Sequence, residues 1–130
     1  MNPRWIPTRM GEEEFKKGSG KVLQKVYWKL TDKKIKILNK IYDKSGLIGY
    51  EIGQHVVVAK TYSYGWIVSA HKKIVELAQK KRKGLVMYID KSNRFYMFNP
   101  KDVLKYGKIN YRGDNVMINF DINMGELWLI

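Results

Sequence analysis

The 130-residue chain holds two histidines, His55 and His71, and no cysteine. Thiol catalysis, disulfides and cysteine-built zinc sites are therefore excluded, and a three-ligand metal site would need carboxylates beside the histidines. No GxxxxGK[ST] loop offers a phosphate cradle, and no serine sits on the glycine-flanked turn of a nucleophile elbow. Phosphodiester hydrolysis needs acids to hold a metal near a lysine. Lys60 ends the apolar run HVVVAK, but Val58 stands two positions before it, and only Asp43 and Glu51 lie upstream within reach. That chemistry lacks a ligand, so neither an enzyme nor a cofactor is expected; a divergent metal-dependent nuclease is the alternative.

What the sequence has in excess is cations. Lys+Arg number 25 against 12 Asp+Glu, a net charge of +13, more than solubility requires of a small domain. Through Lys83 there are 19 basic and 7 acidic residues, whereas Gly84 to Ile130 carries 6 and 5. A polyanion is expected to meet the first two-thirds of the chain. Nucleic acid is favoured over a membrane surface, because the cations are spread over several elements with no strongly apolar face opposite them. No apolar run approaches the roughly 20 residues that cross a bilayer, and Met1 to Gly11 lacks a signal peptide's hydrophobic stretch, so the cytoplasm is the default location. Twenty lysines beside three glutamines suit a heat-adapted organism.

The elements that must position these cations read as follows. Met1 to Gly11, with Pro3 and Pro7, is a flexible arm. Ser19 caps a helix from about Lys21 to Leu30, whose buried stripe is Val22, Leu23, Val26, Tyr27 and Leu30. Thr31 or Asp32 caps a second helix through Ile35, Leu38, Ile41 and Tyr42 to Gly46, although Ile35 and Ile37 also alternate as a strand would. Leu47 to Gln54 reads as a short helix, and His55 to Thr61 as helix or strand. Ser63 caps a long helix to Lys83 with Ile67, Ala70, Ile74, Leu77 and Ala78 inward, stopped by Lys80-Lys81-Arg82-Lys83 and Gly84. Two hairpins follow, Leu85–Asp90 with Phe95–Phe98, and Lys108–Arg112 with Val116–Phe120. Asn99-Pro100 starts a short helix between them, Gly107 ends it, and Leu127 to Ile130 is a last strand.

From Leu30 to Phe98 this order resembles the winged helix-turn-helix family of DNA-binding domains, particularly the archaeal type of transcriptional regulator. LTDKKIKILNKIYDKSGLIGYEIG matches the first helix and the start of the second, SYGWIVSAHKKIVELAQKKRKG the recognition helix, and LVMYIDKSNRFYMF the wing. The fold class expected is α+β: a winged-helix core over 30–98, an N-terminal helix and a β-rich extension over 99–130, all in one domain. The resemblance implies sequence-specific binding of double-stranded DNA by a transcriptional regulator. It places Tyr64, Gly65, Ser69, Lys72 and Lys73 of the recognition helix on DNA, with Lys91 and Arg94 of the wing. Eleven residues separate Glu51 from Ser63, more than the family's tight turn, and 53–62 stays unassigned. An architectural or replication-associated DNA-binding role is a further alternative. HVVVAK in turn resembles the end of a restriction-endonuclease-like motif, with Val58 in place of its acid.

Plainer readings stand beside these. His71 is a satisfied half-buried residue, Trp66 and Tyr64 simply pack, and Tyr88, Phe95, Tyr96 and Phe98 are sheet packing, with a stacking surface for single-stranded nucleic acid as the alternative. Lys80 to Lys83 is either a solvated helix end or a phosphate contact. A homodimer is expected, since one winged helix reads few base pairs. The nearly neutral C-terminal segment, with Val116, Ile118, Phe120, Ile122, Leu127, Trp128 and Ile130, supplies the surface, unless it only extends the monomer's sheet.

Overall fold

The computed structural model describes residues 20–44, 46–60 and 65–129; the arm Met1 to Gly11, the Ser19 and Ser63 caps, Tyr64 and Ile130 lie outside them. In chain order the elements are α1 Gly20–Asp32, β1 Asn39–Asp43, β2 Gly46–Ile52, β3 His55–Lys60, β4 Ile67–His71, α2 Lys72–Lys80, β5 Gly84–Ile89, β6 Arg94–Phe98, α3 Pro100–Tyr106, β7 Lys108–Arg112, β8 Asn115–Asp121, a 3₁₀ turn Ile122–Met124 and β9 Glu126–Leu127. A six-stranded sheet runs β1-β2-β3-β5-β6-β9, and a three-stranded one β4-β8-β7. Every pairing is antiparallel except β3 with β5, where Val56 faces Leu85 and Val58 faces Met87.

The central strands are apolar without alternation because both of their faces are covered. Leu23, Val26 and Leu30 of α1 pack on one face, against Tyr50, Ile52, Val57, Val86 and Tyr88. Ile74, Val75 and Ala78 of α2 pack on the other, against Val56, Val58, Leu85 and Met87. The same cluster takes in Val68, Ala70, Ile118 and Phe120 of the small sheet and Val103 of α3, so the two sheets share one core. Each fully buried Val, Leu, Ile, Met or Phe among them contributes about 1.5–3 kcal/mol. Gly49 marks where α2 crosses closest: a Cβ there would lie 2.6 Å from Ile74 Cδ1 and 2.6 Å from the Val57 carbonyl oxygen.

Three expected helices are corrected. Thr31 and Asp32 end α1, and Lys33 to Lys44 is a loop and β1: Leu38 and Tyr42, half of the supposed helical stripe, are exposed, while Ile35 and Ile37 pack against the α1 side as alternating residues do. Leu47 to Gln54 holds β2, which is buried on both faces and therefore shows no period that separates strand from helix. The expected helix from Ser63 to Lys83 is not one helix, since Ile67–His71 pairs residue by residue with Asp121–Met117 and, among its described residues, only the nine of Lys72–Lys80 are helical. With strands at these positions, the structure does not confirm a winged helix-turn-helix core.

Elsewhere local signals and structure agree. The α+β class, α1 and the β5–β6 and β7–β8 hairpins are present, whereas the last strand is Glu126–Leu127 and shares only Leu127 with the expected Leu127 to Ile130. In α3 the Asn99 side chain accepts from the Lys101 amide at 3.0 Å, Pro100 occupies the first turn and Gly107 the C-cap. The C-terminal segment closes the monomer's own structure to a large extent. Ile118 and Phe120 are core, and the Trp128 ring lies 5.6 Å from Phe95 and 5.0 Å from His55, while Val116 and Leu127 stay exposed.

Candidate nucleic-acid interface

α1 and α2 lie on opposite faces of the large sheet, yet the loop that follows α1 and the C-terminus of α2 are both bonded to Glu51 at the end of β2. α1 closes with the Ile35 amide donating to the Leu30 carbonyl at 2.9 Å, and α2 with the Lys83 amide donating to the Ala78 carbonyl at 2.9 Å. This six-to-one bond requires a left-handed residue just past the helix, a place glycine usually takes. Here Lys34 has φ 60° and Arg82 φ 55°. The terminator of α2 is thus Arg82 rather than Gly84, which begins β5.

Glu51 joins the two ends. Its backbone carbonyl accepts from the Leu38 amide at 2.9 Å, just after the Lys33–Lys36 stretch. Its buried carboxylate accepts from Lys81 Nζ at 3.1 Å and from Lys83 Nζ. The Lys83 and Lys81 hydrogen bonds hold the Glu51 carboxyl below the ordinary carboxylate range, against the desolvation that would raise it. Lys83, with its side chain 14 % exposed, is occupied by this contact. Lys33, Lys34, Lys36, Lys80 and Arg82 are exposed, with Asp32 the exposed acid beside them on the chain. His55 adds no charge here at neutral pH, because burial pushes its imidazole below the ordinary value. Helix C-termini favour cations through the dipole, which accounts for Lys29 and Lys80 in the last turns. It does not account for two cations in left-handed positions.

The residues singled out from sequence do not converge. Tyr64 lies outside the described residues; Gly65 is in an exposed turn at φ 61°, and Ser69 is buried in β4. Lys72 and Lys73 stand at the N-terminus of α2, far from Lys80–Lys83: Lys73 Nζ donates to the Tyr42 carbonyl at 3.1 Å, and Lys72 Nζ is 3.9 Å from Glu76. Beside them is a cleft of about 370 Å³ in which Lys44, Lys72 and Lys73 are balanced by Asp43, Glu76 and Asp114. His71 Nδ1 lies 3.0 Å from Asp43 Oδ2 there, the satisfied half-buried residue expected of it. Lys91 and Arg94 are exposed on the β5–β6 hairpin, at the end of the sheet opposite Lys80–Lys83, since β5 runs parallel to β3 and turns back after Ile89. Trp66 does not pack; it is 69 % exposed. Tyr88, Phe95 and Phe98 are packed in the sheet.

Lys34 and Lys36 were missed, and Glu51 was weighed only as a metal ligand, because their segments read as helix, where they would have been scattered. The one usable signal was Lys33-Lys34 directly after an apolar helical stripe. Val58, where the nuclease motif would carry its acid, is a core residue facing α2. Among the described residues no three His, Cys, Asp or Glu side chains are grouped to hold a metal ion, and no helix is long and apolar enough to cross a membrane. Compared with protein-family models, curated proteins and solved structures, the chain has no match.

Proposed function

We propose that this chain binds nucleic acid through the phosphate backbone at the end of the large sheet where Glu51 bonds the loop after α1 and the C-terminus of α2. The observation that carries the reading is Glu51, whose carbonyl takes the Leu38 amide at the end of the lysine-rich loop after α1 and whose carboxylate holds Lys81 and Lys83 at the end of α2; Lys33, Lys34, Lys36, Lys80 and Arg82 on these two segments are exposed, two of them in backbone positions where glycine costs least. Phosphate contacts position a protein without reading sequence. Choice of sequence on duplex DNA, as a transcriptional regulator needs, would require a base-reading element in addition. A homodimer could supply a second copy of the basic end, with Val116 and Leu127 as exposed apolar residues.

The test is binding to labelled duplex and single-stranded DNA over a range of salt. If roughly 6 phosphates are neutralised, log K against log salt falls with a slope of about −5 on duplex, or about −4 on a single strand. A slope near zero would remove the proposal. Competition with random duplex then separates a regulator, which keeps a specificity ratio of about 10³ or more, from an architectural protein. Sedimentation with and without DNA decides the dimer.

A further inference from the structure

A cleft of about 660 Å³ opens beside this basic end, between the C-terminus of α2 and the start of α3. Arg82 and Lys101 are among its lining residues, with Met97, Met124, Asp102 and Glu126, and with Lys83, which Glu51 already holds. Ligand sites commonly fall between about 300 and 1,000 Å³, so a nucleoside unit fits and a duplex does not. A base stacked in a duplex cannot enter; an unstacked one can. Thioethers are soft, polarisable partners for a flat aromatic ring. Aspartate and glutamate accept hydrogen bonds from the exocyclic amine of a base such as cytosine, and thymine has no amine to give. The cations at the rim match the phosphates on either side. Arg82 again draws notice, because an arginine keeps a left-handed backbone there instead of yielding to glycine.

We propose that this cleft receives one unstacked, amino-bearing nucleobase of a single strand, with Arg82 and Lys101 on its flanking phosphates. This rests on the nucleic-acid reading above and narrows it. The test titrates the full chain, by fluorescence anisotropy at fixed salt, into labelled oligo-dC, oligo-dT and a mixed duplex of equal length, about 12 nucleotides. Oligo-dC should bind about tenfold more tightly than oligo-dT or the duplex, roughly one good base contact. Asp102→Asn/Glu126→Gln should erase the preference for dC over dT while leaving oligo-dT affinity unreduced. Lys101→Ala should weaken both single strands and leave the duplex unchanged. All three residues are exposed, and melting curves confirm that the variants fold. Equal affinity for strand and duplex, or variants that weaken all three ligands alike, would overturn the cleft and leave backbone binding intact. Absence of binding to any of the three would overturn both.

Discussion

Replacing Glu51 by Gln tests the central feature of the basic end, because it separates stability from binding. The carboxylate is buried and accepts from two ammonium groups. Lys81, with its side chain 41 % exposed, can turn to water when the charge is removed, whereas Lys83, at 14 %, is left with an uncompensated ammonium near the core. Breaking a fully buried ion pair from one side costs about 3–5 kcal/mol; with one partner solvated and an amide oxygen still accepting, about 2 kcal/mol is expected. For a chain of this length that lowers the melting temperature by roughly 6–10 °C.

The pH dependence carries a sign. The folded-state pKa of Glu51 lies below its value of 4.5 in the unfolded chain, so its contribution is complete above about 4.5 and is lost as pH falls from there through the folded value. The gap between wild type and Glu51→Gln, measured by urea unfolding, should therefore be full at pH 7 and shrink below pH 4.5. Nucleic-acid affinity should move the other way, since a negative charge leaves the basic end: equal or tighter binding at fixed salt. A gap that persists undiminished at pH 3, or a variant that stays stable but binds more weakly, would refute this account of Glu51.

Other consequences can be checked together. Lys34→Gly places the favoured residue at φ 60°, so stability should rise by about 1 kcal/mol while DNA affinity falls; a rise in both would mean that Lys34 meets no phosphate. Gly49→Ala drives a methyl into Ile74 and the Val57 carbonyl and should cost about 2–4 kcal/mol in urea unfolding, the upper range of overpacking. Lys91→Ala/Arg94→Ala should leave stability within about 0.5 kcal/mol. If that pair, rather than Lys34 and Arg82, lowers DNA affinity, the hairpin is the interface after all.

Where an element is specified by neighbours along the chain, it was legible. Asn99-Pro100 caps and starts a helix through a side-chain acceptor and a fixed φ, and the turns around Ser92-Asn93 and Gly113-Asp114 join strands only a few residues apart. The stretch from Ile35 to His71 was not legible, because β2 is buried on both faces and β4 pairs with residues about fifty positions later. Ile67, Ala70 and Ile74 keep helical spacing although the first two belong to a strand. Ser69, Lys72 and Lys73 lost their common helical face for the same reason.

By itself the sequence determined the absence of thiol chemistry and cysteine-built zinc sites, the charge excess before Gly84, the α+β class and the short-range elements, because composition and nearest-neighbour preferences do not depend on the rest of the chain. Only the tertiary structure decided which cations stand together. The loop after α1 and the end of α2 are separated by more than forty residues, and no local rule joins them. They meet because β1 pairs with β2 beside Glu51, and because Glu51, once buried by that pairing, draws Lys81 and Lys83 as counter-charges.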